Sequence, residues 1–188
     1  VEYLKDFAGD VSIILANVAN GAQNSIDYSN FLNWRHLLSS QLFDGYLDDA
    51  TVFVDFNFNE SLDFIDANND GVANQDELVE IAVPTDYDGQ FRISIPFAAD
   101  RNLDGLISLD EGQLVAFGGK DVSLDAESSV PMTAPLTYPT VSPLTTLVAK
   151  LRLETGNAIG DVEARVATGL SLTSPGYLRA DLISLANQ

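Results

Sequence analysis

The sequence predicts an α+β fold, with helical segments at both ends of the chain and an antiparallel β-sandwich between them. Three observations carry this. Apolar residues recur at three- and four-residue spacing over 10–20, over 30–42 and again beyond 142, which is the helical period. From Ala50 to Val54, and again from Phe91 to Ile95, successive residues alternate between two faces instead, which is the strand period. The charge is divided at the same borders. Of 28 acids and 9 bases, 20 acids and three bases (Arg92, Arg101, Lys120) lie within 44–127, a net −17 of the total −19. The predicted organisation is therefore an N-terminal helical segment 1–43, an acidic β-module 44–142, and a C-terminal helical segment 143–188 that packs with 1–43.

The first helix is expected over 10–20. Val11, Ile14, Leu15 and Val18 share a face, Asp10 caps it and Gly21 ends it. The second is expected over 30–42, with Ser29 as cap and Phe31, Trp34, Leu38 and Leu42 on one stripe. The alternation of Val52 and Val54 with Thr51 and Phe53 predicts a strand. So does that of Phe91, Ile93 and Ile95, which follows the hairpin signal Asp88-Gly89. Residues 130–142, rich in Pro, Thr and Ser, read as extended. Ser142-Pro143 is a cap followed by a first-turn proline, ahead of the stripe Leu144, Leu147, Val148 and Leu151. Asp161–Ala167 reads as a short helix, and Ser174-Pro175 repeats the cap-plus-proline device before Leu178, Leu182 and Leu185.

Composition excludes several classes. With 46% hydrophobic residues the chain is not an acidic disordered tail. A net −19 argues against nucleic acid, whose phosphates need a basic face. It leaves cations or basic surfaces as counterparts. The absence of cysteine rules out disulfides, zinc–thiolate sites, iron–sulfur clusters and Cys nucleophiles, and fits a secreted bacterial-type protein. The single histidine, His36, rules out a multi-histidine metal site. No apolar run reaches the roughly 18–20 residues that span a bilayer, so membrane insertion is not expected. The chain begins Val1-Glu2-Tyr3, without Met or a signal peptide, and reads as an excised or processed fragment.

The acidic stretch has a physical reason to keep its carboxylates together. Asp-x-Asn-x-Asp-Gly occurs twice, as Asp66-Ala67-Asn68-Asn69-Asp70-Gly71 running on to Glu77, and as Asp100-Arg101-Asn102-Leu103-Asp104-Gly105 running on to Glu111. Each matches a twelve-residue calcium loop. The candidate ligands of the first are Asp66, Asn68, Asp70, the Val72 carbonyl, Asn74 through water, and Glu77. Those of the second are Asp100, Asn102, Asp104, the Leu106 carbonyl, Ser108 and Glu111. Ca²⁺ takes six to eight hard oxygens, and alternate residues of a tight loop turn inward together around a sharp glycine. A third, degenerate loop reads Asp55, Asn57, Asn59, Ser61 and Asp63, with Asp66 at the twelfth place and Glu60 where glycine is expected. Asp86, in Thr85-Asp86-Tyr87-Asp88-Gly89, is a further candidate. Two calcium sites are expected, with a third and fourth as further candidates. An EF-hand pair is not expected, because Pro84 and the Phe91–Ile95 alternation between the loops are strand chemistry. Only Glu77–Ile81 and Glu111–Phe117 read as short helical exits. The loops therefore read as ion-braced connections of a calcium-braced β-sandwich.

The run from Gly45 to Asn59, followed by Thr85-Asp86-Tyr87-Asp88-Gly89-Gln90-Phe91, resembles calcium-binding β-sandwich repeats of bacterial surface proteins. These are the B repeats of staphylococcal adhesins and modules of very large secreted proteins of marine bacteria. The segment from Gly118 to Val148, with Val141-Ser142-Pro143-Leu144-Thr145-Thr146-Leu147, resembles the end of those marine modules. Over 44–170 the resemblance implies a prealbumin-like or immunoglobulin-like sandwich in an extracellular, cell-surface or secreted protein. It carries calcium roles onto Asp55, Asn57, Asn59, Asp63, Asp66 and Asp86. Two residues depart from the pattern: Asp49 and Glu60 each replace a usual glycine.

Three functions follow in order. The first is a calcium-stabilised structural or adhesive module, whose partners are calcium, neighbouring modules, a cell-surface protein or a polysaccharide. The second is a dockerin-like or carbohydrate-binding recognition module, with Trp34, Tyr46 and Tyr87 as a sugar platform. The third is an accessory domain of a secreted hydrolase. No nucleophile motif, phosphate loop or catalytic metal site is present, so the chain itself is not expected to be an enzyme.

Overall fold

The computed structural model describes residues 35–65, 79–96, 99–102, 104 and 106–186. The expected helix over 10–20 and residue Trp34 lie outside these. The fold is α+β: among the described residues ten strands form three sheets, followed by helices. The strands are β1 (Arg35–Leu42), β2 (Leu47–Asp48), β3 (Thr51–Asp55), β4 (Ala82–Pro84), β5 (Gln90–Pro96), β6 (Gln113–Phe117), β7 (Lys120–Asp121), β8 (Ala126–Glu127), β9 (Met132–Pro135) and β10 (Thr140–Val141). Then come α1 (Pro143–Thr155), α2 (Ile159–Gly169), a 3₁₀ turn (Pro175–Arg179) and α3 (Leu182–Ala186).

The largest sheet has the order β4-β3-β6-β9, all antiparallel. A second has the order β10-β1-β5, and β2-β7-β8 form a small third. The alternation seen in the sequence places Ile93 and Ile95 of β5 inward, and Val52 and Val54 of β3 inward. Leu114, Ala116, Met132 and Ala134 complete one cluster with Leu42 and Phe91, so the two larger sheets share a core.

One expectation is corrected here. Residues 35–42, read as part of a helix over 30–42, form β1 and pair with β5 at seven consecutive positions. Leu38 and Leu42, four apart, satisfy both periods; what decides is the partner strand, which absorbs the backbone groups of β1. Residues 35–43 thus belong with the β-module rather than to a helical segment. The Asp88-Gly89 turn also differs from expectation. It forms, but it carries the chain from β4 in one sheet to β5 in another instead of closing a hairpin. Gly89 there has φ +70°, and a Cβ on it would lie 2.2 Å from the Leu42 carbonyl oxygen. The expected helical exit at Glu111–Phe117 is strand β6, and Val79–Ile81, the described part of Glu77–Ile81, is not helical.

Helix α1 starts at the expected cap, α2 extends two residues beyond the expected Asp161–Ala167 at each end, and Ser174-Pro175 opens a 3₁₀ turn that stops at Arg179 instead of a helix continuous through Leu185. The Ser142 hydroxyl accepts from the Thr145 N–H and the Thr145 hydroxyl accepts from the Ser142 N–H, a reciprocal cap ahead of Pro143. The Thr145 hydroxyl also bonds the Thr133 carbonyl at 3.0 Å, fixing the first turn of α1 to β9. Val148, Val162, Val166 and Leu178 join the main core, so the helical tail is packed on the sheets. Its expected packing on 1–43 concerns residues that lie, up to 34, outside those described. No helix among the described residues is long and apolar enough to cross a membrane.

Candidate functional site

Both described loops sit at one end of the four-stranded sheet. The first leaves the end of β3 at Asp55; the second ends at Glu111, just before β6, and Asp55 faces Gln113 across the ladder. Gln113 Nε2 donates to Asp55 Oδ2 at 2.9 Å, and Arg101 Nη2 donates to the Phe56 carbonyl at 2.5 Å. The two loops are therefore bound to each other.

In the first loop the fully buried Asp55 accepts through Oδ1 from the N–H groups of Asn57 and Asn59 (both 3.2 Å) and through Oδ2 from Glu60 (2.9 Å). Asn57 Oδ1 accepts from the Asn59 N–H at 3.0 Å, and Asn59 Oδ1 from the Ser61 N–H at 2.7 Å. The amides of Asn57 and Asn59 both donate to the Asp63 carboxylate, at 2.7 and 3.2 Å. Glu60, standing where glycine was expected, has φ +60°. Asp49, the other departure from the resembled pattern, has φ +54°. At both positions the chain keeps the left-handed backbone that glycine supplies most readily.

The second loop repeats these relationships. The N–H of Asp104, fifth in the loop, is accepted by Asp100 Oδ1 (3.3 Å) and Asn102 Oδ1 (2.9 Å), as Asn59 is in the first. The N–H of Leu106, seventh, is accepted by Asp104 Oδ1 at 2.8 Å, as Ser61 is by Asn59. Glu111 closes it: Oε1 accepts from the N–H of Arg101, second in the loop, at 2.7 Å, and Oε2 from that of Ser108, ninth, at 2.6 Å.

In the first loop the same two donors turn to Glu80. Its Oε1 accepts from the N–H of Phe56, the second position, at 3.0 Å, and its Oε2 from that of Asp63, the ninth, at 3.1 Å. The twelve-residue count puts Asp66 at this position, not Glu80. Counting twelve residues fails because 64–79 are interposed between the ninth position and the closing acid. The available signal was context: Glu80 and Glu111 each stand two residues before a strand, β4 and β6.

Glu80 is 3% exposed, and burial pushes its carboxyl up to about 7; the N–H groups of Asp63 and Phe56 oppose the shift, while Asp55 and Asp63 add to it. Beside it a hollow of about 80 Å³ is lined by Phe56, Asn57, Asp63, Val79, Glu80 and Arg101. Among the described residues, no Lys or Arg side chain pairs with Asp55, Asp63, Glu80, Asp104 or Glu111. The basic groups go to acids off the ligand positions instead, Lys150 to Glu60 and Arg152 to Asp110. No three Asp, Glu or His side chains among the described residues converge on one point. The donor sets mix carboxylate, amide and carbonyl oxygens, and the closing glutamates face backbone N–H groups. Hard oxygens in this order are the donors Ca²⁺ prefers, so the residues present fit that ion.

The remaining candidates divide. Asp66, Asn68, Asp70, Val72, Asn74 and Glu77 lie outside the described residues, as do Leu103 and Gly105. Asp86 is not brought to the loops. It lies past the far end of β4, and its Oδ1 accepts from the N–H groups of Asp88 (3.1 Å) and Gln90 (2.8 Å), an ordinary turn. Tyr46 Oη donates to Asp181 at 2.9 Å, whereas Tyr87 is exposed in the Asp86–Gly89 turn. His36 stands on β1 opposite Ile95. No family model matches the chain, and neither a curated protein nor a solved structure is found to be similar to it.

Proposed function

We propose that the chain is a calcium-binding structural module of an extracellular bacterial surface or matrix protein. In this reading the two larger sheets form a prealbumin-like or immunoglobulin-like sandwich. The module spans 44–142 together with β1, and the helices from 143 onward are docked on it. The observation that carries the reading is the repetition. Two loops of different sequence hold the second, fifth, seventh and ninth N–H groups in the same way, around oxygens at the ligand positions. A pair of unrelated solvated turns has no reason to agree at four positions. The first loop takes Asp55, Asn57, Asn59, the Ser61 carbonyl, Asp63 and Glu80. The second takes Asp100, Asn102, Asp104, the Leu106 carbonyl, Ser108 and Glu111. Residues 66–77 supply a further site on sequence grounds.

Bound calcium would offset the repulsion among the buried carboxylates of Asp55, Glu80 and Glu111, with which no Lys or Arg side chain of the described residues pairs, and so brace the end of the sheet. Extracellular modules hold calcium at roughly 10⁻⁴–10⁻³ M, which makes such a brace effective outside the cell only. A dockerin-like reading needs a helix after each loop, and the exit of the 100–111 loop into β6 disfavours it. The test is thermal unfolding with and without calcium. A rise of many degrees with Ca²⁺, and far less with Mg²⁺, is expected; an unchanged Tm at millimolar calcium would overturn the reading.

A further inference from the structure

Helix α1 is attached to the sheets at its two ends by different chemistry. Its first two turns are fixed by neutral contacts: the Thr133 N–H donates to the Thr146 hydroxyl at 2.9 Å, and Val148 and Ala149 are buried. Its last turns are fixed to the two loops. Lys150 Nζ grips both carboxylate oxygens of Glu60, the sixth residue of the first loop, at 2.7 and 2.8 Å. Arg152 donates to the Leu109 carbonyl at 3.2 Å and pairs with Asp110, residues ten and eleven of the second loop. Phe58 of one loop and Leu109 of the other line a narrow crevice with Ala149, Arg152 and Leu153 of the helix. One helix end thus reads the conformation of both loops.

We infer that the end of α1 is a calcium-responsive joint: binding in the loops tightens the docking of the helical tail, and docking tightens binding. This rests on the calcium reading above. Two effects oppose each other. An added divalent charge repels Lys150 and Arg152, while a fixed loop backbone presents Glu60, the Leu109 carbonyl and Asp110 in one place. The second effect prevails because the contacted groups are not ligands and keep their own charge. One of the four contacts is moreover to a neutral carbonyl, and salt screens the longer-range repulsion over about 8 Å.

The experiment is amide hydrogen exchange on the full chain with calcium or chelator, alongside calorimetric calcium titration, for the native sequence and for Lys150→Met with Arg152→Met. Calcium is expected to slow exchange over residues 150–155 by about fivefold in the native protein, the scale two partly exposed ion pairs supply. In the double variant the loop amides still slow on adding calcium, the helix end no longer does, and calcium binds about fivefold more weakly, as reciprocity requires. Loops that respond while the helix end does not, or a helix end that responds equally in the double variant, would overturn the joint and leave the calcium reading standing. An absence of calcium binding in the native chain would overturn both.

Discussion

Glu80 and Glu111 stand in the same place in two different loops. Each directs one carboxylate oxygen at the N–H of the loop's second residue and the other at the N–H of its ninth. In one loop the acid follows three residues after the ninth position; in the other it follows seventeen residues later. The first loop is thus a discontinuous version of the second, closed by a residue from the far side of an inserted segment.

Replacing either glutamate should then remove one calcium. Glu80→Gln and Glu111→Gln are each expected to weaken one site by about tenfold or more, because each removes a charged closing ligand. Asp66→Asn should leave the Asp55–Asp63 site intact and affect only a site within 66–77. Calcium titration by calorimetry separates these; loss of the Asp55–Asp63 site in Asp66→Asn, with Glu80→Gln unchanged, would reverse the assignment.

The same residue makes the calcium-free protein sensitive to pH. Glu80 titrates at about 7 in the fold against 4.5 for an ordinary glutamate. Between these values the folded state holds a proton that the unfolded chain has released. Its contribution to stability is therefore full below the lower value and is lost as pH rises through the upper one. In chelator, this contribution to Tm should fall between about pH 4.5 and about pH 7 and level off above, and Glu80→Gln should flatten that change. With saturating calcium the fall should vanish, because the ion holds the carboxylate ionised.

What the sequence made legible were features set by short-range spacing: the Asp-x-Asn-x-Asp-Gly loop at 100–111, the strands β3 and β5, and the Ser142-Pro143 cap. What it hid depended on the partner rather than the residue. Leu38 and Leu42 fit either period, and only pairing with β5 makes β1 a strand. The Asp88-Gly89 turn is correct chemistry, yet turn residues do not say whether the strands they join share a sheet. Glu80 carries no motif, since its role is defined by two N–H groups 17 and 24 positions away.

Tyr138 offers a test remote from the loops. Its buried hydroxyl donates to Glu163 of α2, whose carboxylate also pairs with Arg179 at 2.9 Å. Burial and that acid hold the phenol well above its usual range. Tyr138→Phe leaves a buried carboxylate with one donor fewer and should cost about 1–3 kcal/mol in urea unfolding. Calcium affinity should be unchanged, because neither Tyr138 nor Glu163 touches a loop.

Glu60 gives the sharpest reading of backbone against side chain. Its φ of +60° is strained by about 1 kcal/mol for a residue with a Cβ, while its carboxylate holds Lys150, a partly exposed pair that contributes at most about 1 kcal/mol. Glu60→Gly loses the pair, relieves the strain and loosens the unfolded chain, so it should stay near the native stability. Glu60→Ala loses the pair and keeps the strain, so it should fall below the glycine variant by about 1 kcal/mol. That order is the reverse of the one expected in a helix or strand interior, where alanine is the more stable. Denaturant unfolding in calcium measures both; an alanine variant at least as stable as the glycine one would mean that residue 60 does not hold the left-handed backbone on which the first loop depends.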